Sequence, residues 1–383
     1  MASPSTPKIL LLGATGYIGG TVLYYLTRSP ALARCLPISV LVRGADRADK
    51  LKSAYGNQIC TVPLTSLDDL DLITKLASEH DIVINAGTGY HPPSAEAFVH
   101  GLAKRKAATT GNNSDEGSVP PWLIHTSGNS NISDNPMAGD RYPEDFWLDD
   151  SDPVRIYELE REKEARQPYL QRTAELAVLD AGSRLGVGTT ALQSPAIFGP
   201  GRGLFSAAEA VLPTMLRFVL DHGYGARLGD GTGQMGFVHV DDLAELYVRI
   251  AEEVVENGGR EVPSGKDGVV FPCVGMVKLV DLARDCVAAV ARKGIIQTKE
   301  VKEVDLDTVA PYFGDGDLGR HIAAVAWAGH WNTVGTVGET KLGWKPVHRK
   351  EAWYDHGHFD YELDAVLEGK RPFSLDKVTG QGK

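Results

Sequence analysis

The stretch Lys8-Ile9-Leu10-Leu11-Leu12-Gly13-Ala14-Thr15-Gly16-Tyr17-Ile18-Gly19 decides how the rest of the chain is read. Lys8 to Leu12 is a short, almost unbroken apolar run, the pattern of a strand buried on both faces of a parallel sheet. Glycines at G-x-x-G-x-x-G follow it and open a helical stretch from Tyr17 to Arg28. Each glycine has its own physical reason. The first permits a tight turn, the second lets the backbone approach a pyrophosphate, and the last lets helix and strand pack closely. The helix start then offers unpaired N–H groups and a positive dipole end to the anion. Strand, glycine turn and helix in that order predict a dinucleotide site built by Gly13, Thr15, Gly16, Tyr17, Ile18 and Gly19.

Outward from this turn the alternation continues. Ile38 to Val42, Ile59 to Val62, Asp81 to Asn85, Trp122 to Thr126 and Val187 to Gln193 read as strands; Ala48 to Ala54, Leu67 to Ser78, Ala95 to Lys106 and Thr173 to Gly182 read as the helices between them. The expected fold is α/β, a Rossmann-type doubly wound parallel sheet with right-handed crossovers. After Gln193 the pattern changes to Pro195, Gly199, Pro200, Gly201 and Gly203, then an apolar helix near Ala207 to Asp221, as in a smaller, mixed C-terminal substrate domain. Gly268 to Pro272 and Lys278 to Lys293 return to the sheet. The expected partition gives residues 8–194, with about 236–292, to the dinucleotide domain, and about 195–235 and 293–370 to the substrate part.

Two interruptions stand out. Thr109 to Pro121 reads as a solvated surface insertion. The acidic stretch from Gly128 to Pro168, with Asp134, Asp140, Asp149, Asp150 and Asp152, leaves two readings open, a substrate lid or a solvated excursion.

The second strand ends at Val42-Arg43, with Arg47 one turn on and no acid beside it. An acid there would accept from a ribose 2′-hydroxyl, whereas an arginine suits a 2′-phosphate, so NADP(H) is expected over NAD(H). Ala86, Gly87 and Thr88, with Thr126 on the next strand, are expected along the cofactor's other half.

Composition limits the partners. The 383 residues are 43% apolar and 23% charged, as in a globular protein, and a net charge of −11 gives no footprint for nucleic acid. Cys35, Cys60, Cys273 and Cys286 show no metal-ligand spacing and read as buried small apolar residues in a reducing compartment, so no metal is expected. The start lacks a leader pattern and no run approaches the ~18 apolar residues of a membrane span, so a cytoplasmic protein with a small-molecule substrate is expected, and a homodimer is compatible.

At this point the chain resembles the short-chain dehydrogenase/reductase superfamily, in its extended or atypical, NAD-dependent epimerase/dehydratase-like branch. The matching segments are Gly13 to Gly19, Ile124-His125-Thr126-Ser127-Gly128, Ser194 to Gly201, Phe237-Val238-His239-Val240-Asp241-Asp242 and Lys341 to Pro346. The resemblance implies a Ser or Thr after the fifth strand and a Tyr-x-x-x-Lys helix, in which the lysine lowers the phenol's pKa. It also implies a glutamate eight residues past the tyrosine, and Glu175, with Gln193 at the next strand's end, fits that spacing. Counting back places Gln167 at the tyrosine position, Gln171 at the lysine position and Gly128 at the hydroxyl position. The titrating pair is replaced.

Three side chains remain as proton donors: Tyr169, Tyr157 with Arg161 nearby, and Ser127. The expected activity is an NADP(H)-dependent oxidoreductase acting on a small organic carbonyl, imine or activated alkene. The alternatives are a non-catalytic NADP-binding sensor or a non-redox enzyme, such as an epimerase, cyclase or isomerase, on the same fold. His125 is read as a packed strand residue, and His91 as an exposed loop residue or, less favoured, a catalytic acid. Asp241 or Asp242 is read as the cap of the helix Leu243 to Glu253.

Overall fold

The computed structural model describes residues 6–110, 119–205, 211–355 and 357–369. The chain forms β1 (Ile9–Leu12), α1 (Tyr17–Leu26), β2 (Ile38–Val42), α2 (Ala45–Tyr55), β3 (Ile59–Pro63), α3 (Leu70–Ser78), β4 (Ile82–Asn85), α4 (Pro92–Thr110) and β5 (Trp122–Gly128). There follow β6 (Leu148–Asp149), α5 (Pro153–Arg166), α6 (Leu170–Leu185), β7 (Gly188–Ser194), β8 (Ala196–Phe198), α7 (Val211–His222), β9 (Gly225–Leu228), β10 (Gln234–His239) and α8 (Val240–Asn257). The remainder includes β11 (Val269–Val270), β12 (Gly275–Lys278), α9 (Leu279–Arg292), β13 (Val301–Val304), α10 (Leu306–Val309), α11 (Gly316–Ala328) and β14 (Thr333–Val334).

Seven strands make one sheet in the order β11-β7-β5-β4-β1-β2-β3, every neighbouring pair parallel. The order reverses between β1 and β4, and the carboxyl ends of these two strands open the crevice where such sheets bind ligands. The apolar run of β1 is unbroken because alternate residues feed two cores. Ile9 and Leu11 join Val22, Leu23 and Leu26 of α1 and Leu243, Leu246 and Ile250 of α8 on one face. Leu10 and Leu12 join Ile73 of α3, Phe98 and Leu102 of α4 and Val178 of α6 on the other. Each such side chain contributes ~1.5–3 kcal/mol on burial, so a polar residue at either parity would be costly.

Beyond the sheet, β12-β10-β8 and β13-β9 are small sheets, the first of them mixed. They pack with α7, α9 and α11 around Phe218, Phe237, Phe313, Trp327, Trp353 and Phe359. Among the described residues no helix is long and apolar enough to cross a membrane.

The acidic segment is neither a free lid nor a solvated excursion, because its carboxylates fasten it down. β6 pairs with β14. Asp134, fully buried, accepts from the backbone N–H groups of Tyr142 at 2.9 Å and His330 at 2.7 Å. Asp150, also buried, accepts from the N–H groups of Phe271, Thr336 and Val337 at 2.9, 2.7 and 2.9 Å, and burial pushes its pKa up to about 6 against those three bonds.

Two smaller expectations are corrected. The cap of α8 is His239, whose Nδ1 accepts from the Asp241 N–H, because Asp241 is taken by Arg202 and Asp242 accepts from the N–H groups of Val347 and His348. Cys60 lies exposed on the edge strand β3, while Cys35, Cys273 and Cys286 are buried and all four are free thiols.

Candidate functional site

Gly13 sits at φ 101°, and a Cβ there would lie 2.3 Å from the Ala86 carbonyl oxygen; a Cβ on Gly19 would lie 2.3 Å from the Gly13 oxygen. Those two glycines serve packing. Gly16 differs: it is the N-cap of α1 at φ −99°, and among the described residues a Cβ on it would meet only the Gly13 oxygen, at 3.2 Å, with open space beyond. The first turn of α1 holds no acid and no side-chain cap bond, so its N–H groups face that space unopposed by a carboxylate.

Thr15 is half-buried in the turn. The Tyr17 hydroxyl donates to the Gly199 carbonyl at 2.5 Å, and Ile18 packs against the core, so both side chains point away from the glycine turn's open side. The Gly199–Gly203 loop lies directly on α1, where Arg202 N–H donates to Thr21 Oγ1 at 3.0 Å.

Arg43 leaves the end of β2 and Arg47 sits in the first turn of α2, both exposed. Ala86 N–H donates to the Leu12 oxygen at 3.0 Å, so the exposed Gly87 backbone lies beside the glycine turn. Thr88 Oγ1 accepts from the Tyr90 N–H at 3.0 Å. These features make a cradle suited to a dinucleotide: open space at a helix N-terminus, glycines where backbones meet, and cations at the adjacent strand end.

The other end of the crevice is built from side chains. α5 ends at Arg166, and Gln167 and Tyr169 on either side of Pro168 are extended (φ −147°, ψ 97° and φ −136°, ψ 119°). Proline disfavours a helical residue before it, so Gln167 leaves the helix and lies 3.5 Å from the His321 Nδ1. Tyr169 becomes the N-cap of α6 and turns inward, 2% exposed. Its N–H donates to Glu164 at 3.1 Å, and Arg172 braces the same carboxylate at 3.0 Å.

The Tyr169 hydroxyl lies 2.7 Å from that of Tyr90 and 3.2 Å from that of Ser130; the two phenol rings meet edge-on at 5.8 Å. Ser130 donates to the Oε1 of buried Gln171 at 2.7 Å. Gly128 makes room for this amide, since a Cβ there would lie 3.0 Å from Gln171 Oε1. Burial pushes the Tyr169 pKa up, opposed by its bonds with Ser130 and Tyr90 and by Arg172, and burial pushes Tyr90 well above the ordinary phenol value. His321, whose ring lies 4.9 Å from that of Tyr169, is lowered to about 4 by burial and by Arg172 and Lys163. At neutral pH the phenols hold their protons and the imidazole is uncharged.

Ser127 and Tyr157 stand apart from this cluster. Ser127 Oγ accepts from Asn131 at 3.0 Å, and Asn131 also donates to Glu175 at 3.0 Å. Glu175 and Glu160, both fully buried, each accept from Gln193, so Ser127 belongs to an interior polar knot. Tyr157 donates to Asp180, ten residues into α6 and so roughly 15 Å along it, and its pKa is pushed to about 12 by burial and by that carboxylate. Thr126 is bonded to Tyr247 of α8 at 2.5 Å. His125, buried and lowered to about 4, pairs with Asn85 at 3.0 Å, and His91 accepts from the Ser94 N–H at 3.2 Å in the first turn of α4.

His239, Asp241 and His348 bring ligand-type atoms within 4.8 Å of one another. Asp241 pairs with Arg202 at 2.6 Å, His239 Nδ1 accepts from the Asp241 N–H at 3.1 Å, His348 Nδ1 lies 3.3 Å from Asp242, and the two imidazoles stack at 3.8 Å. Tyr90 and Ser130 were missed from sequence. Their only signal is position, a hydroxyl just past the carboxyl end of β4 and another just past β5.

Residues 9–105 match the family model described as the saccharopine dehydrogenase NADP binding domain, and residues 149–262 match that of the NAD dependent epimerase/dehydratase family. The chain is 27% identical over 351 residues to Oxidase ucsJ of Acremonium sp, covering 89% of this chain and 93% of that one. Two solved structures share the fold. The dTDP-glucose 4,6-dehydratase of Streptomyces venezuelae, with NAD and TYD bound, superposes with a TM-score of 0.58 at 15% identity, covering 97% of this chain and 99% of that one. The UDP-glucuronic acid 4-epimerase of Bacillus cereus, in complex with UDP-glucuronic acid and NAD, gives a TM-score of 0.53 at 14% identity, with coverage of 94% and 99%. With its sheet order and its glycine turn, the chain has the fold of these NAD-bound enzymes and is similar to two NAD(P)-binding family models, over residues 9–105 and 149–262.

Proposed function

We infer that the protein is an NADP(H)-dependent reductase of a carbonyl, imine or activated alkene in a small organic molecule. The observation that carries this reading is the Tyr169 hydroxyl, joined to Tyr90 and Ser130 at the carboxyl end of the sheet and held protonated by burial. A phenol beside a lysine can take a proton from an alcohol. One surrounded by neutral hydroxyls and an amide keeps its proton and serves as an acid, which is what reduction requires.

A bound nicotinamide would supply the hydride. The residues supply the rest: the Gly16 turn and the start of α1 hold the pyrophosphate, Arg43 with Arg47 receives a 2′-phosphate, and Tyr169 gives its proton to the substrate atom opposite. The name of the relative from Acremonium sp, an oxidase, favours redox chemistry over epimerisation. The test is consumption of NADPH against NADH with a panel of ketones, quinones, imines and enones. Turnover that prefers NADPH and disappears in Tyr169→Phe supports the reading; tight cofactor binding with no turnover on any class favours the sensor alternative.

A further inference from the structure

We propose that Tyr90 takes the place of the missing lysine: its hydroxyl donates to the Tyr169 oxygen, steadies that oxygen when its proton leaves, and returns a proton to it. This rests on Tyr169 as the donor. The direction follows from counting protons. Ser130 has one, and it is given to Gln171 Oε1 at 2.7 Å, so toward Tyr169 at 3.2 Å the serine oxygen can only accept. Tyr169 has one proton and points it at Ser130 or at substrate. With the Tyr169 proton so directed, we assign the 2.7 Å contact between the phenols, in which either oxygen could donate, to Tyr90 as donor. The chain of donation runs Tyr90, Tyr169, Ser130, Gln171.

The other groups around Tyr169 do not compete for this task. Arg172 of α6 lies 5.8 Å from the ring and is spent on Glu164, Asn131 and Gln167. Glu164 of α5 binds the Tyr169 N–H, and His321 of α11 meets the ring rather than the hydroxyl. Among the described residues, Tyr90 and Ser130 are the hydrogen-bond partners of the Tyr169 oxygen. Tyr90 lies on the loop after β4 and is half-buried as a residue, whereas Tyr169 is 2% exposed, so Tyr90 is the outer of the two phenols.

The step balances with a reduced nicotinamide dinucleotide as hydride source. The Tyr169 O–H bond breaks as the substrate's new O–H, N–H or C–H bond forms. In the same step the Tyr90 O–H bond breaks as that of Tyr169 re-forms, and Tyr90 takes a proton back from water that enters once product has left. A neutral donor steadies a phenolate less than an ammonium does, so Tyr169 remains an acid and the site is biased toward reduction.

The test places 3,5-difluorotyrosine, which ionises nearer neutrality than tyrosine, at position 169 and follows its ionisation by absorbance. No substrate is needed. Tyr90→Phe keeps the ring and its edge-on packing, and should raise the label's pKa by about one to two units, as loss of a hydrogen bond to a charged group implies. Ser130→Ala should raise it less. An unmoved label in a folded Tyr90→Phe protein overturns the proposal. The same label at position 90, with Tyr169 intact, needs no deletion: it should ionise above the label at 169, and the reverse order also overturns it. In turnover with a substrate from the panel, Tyr90→Phe should lower kcat about tenfold or more with KM nearly unchanged, and a proton inventory should fall from two protons in flight to one. Full turnover in Tyr169→Phe would sink the donor reading itself, whereas an unmoved label with Tyr169→Phe inactive would sink only the relay.

Discussion

The two ends of the crevice are built on different principles. At the proposed cofactor end the work is done by backbone: Gly13 and Gly19 are glycine where main chains meet, whereas a Cβ on Gly16 would touch only the Gly13 oxygen among the described residues, which is the room the proposed pyrophosphate site uses. At the reaction end it is done by side chains from four places, the loop after β4, the turn after β5, the N-cap of α6 and α11, no two of them adjacent in sequence. A backbone site tolerates almost no variation and keeps its sequence signature. A side-chain site can be rebuilt, with Gly128 and Gln171 accommodating each other while Ser130 and Tyr90 supply the hydroxyls.

The sharpest way to break this contrast is at Gly16. Gly16→Val should abolish NADP(H) binding, a loss of ~100-fold or more by calorimetry, with the circular dichroism spectrum unchanged, because its Cβ touches the Gly13 oxygen at 3.2 Å, a small adjustment, and its methyls enter the space beyond. Gly19→Val should instead lose the fold, since its Cβ would lie 2.3 Å from the Gly13 oxygen. Retained affinity in a folded Gly16→Val protein would remove the pyrophosphate site from this turn.

At the reaction end the matching experiment is Tyr169→Phe beside Gln167→Ala. Deleting the Tyr169 hydroxyl should lower turnover ~10²-fold or more with cofactor affinity intact, as loss of a general acid does. Gln167→Ala should change it by much less, since Gln167 has left the helix and lies 3.5 Å from His321. Equal losses in the two variants would mean that the family register, and not the observed hydroxyls, marks the chemistry.

These outcomes follow how far the sequence could be read. The strands and the glycine turn were readable because period and punctuation are local: Ile9 to Leu12 alternate between two cores, and Gly13 ends the strand by its φ. Gln171 lies on α6 four residues before Glu175, a relation that sequence carries because helical spacing is rigid. Tyr169 required knowing that the helix breaks at Pro168, and Tyr90 and Ser130 required knowing which loops converge, which is tertiary information that no spacing carries. The acidic segment was misread for the same reason: a carboxylate facing water and one accepting three backbone N–H groups, as Asp150 does, look alike in sequence.

Cofactor choice rests on a smaller effect. Arg43 at the end of β2 should favour NADP(H), and Arg43→Ala should narrow the preference by about tenfold, measured as the ratio of the two dissociation constants. Equal affinities in the unaltered protein would leave the backbone end of the crevice indifferent to the 2′-phosphate.

The smallest effect lies below the reaction end, where Glu160 and Glu175 meet around Gln193 with no exposure. Burial raises both carboxyls above their ordinary value of 4.5; the charge of Glu175 raises Glu160 further, while the bonds Glu175 accepts from Ser127, Gln193, Glu160 and Asn131 oppose its own rise. Between 4.5 and the raised values the folded chain holds more protons than the unfolded one, so this pair's contribution to stability is full in acid and declines as pH rises. Glu160→Gln keeps the oxygen that accepts from Gln193 and replaces the titrating proton by a permanent N–H donor toward Glu175. The variant should therefore match the unaltered protein near pH 4 and melt about 2 °C or more above it at pH 8. A gain at pH 4 as large as that at pH 8 would mean that the glutamine stabilises by packing, with no proton held between the two carboxyls.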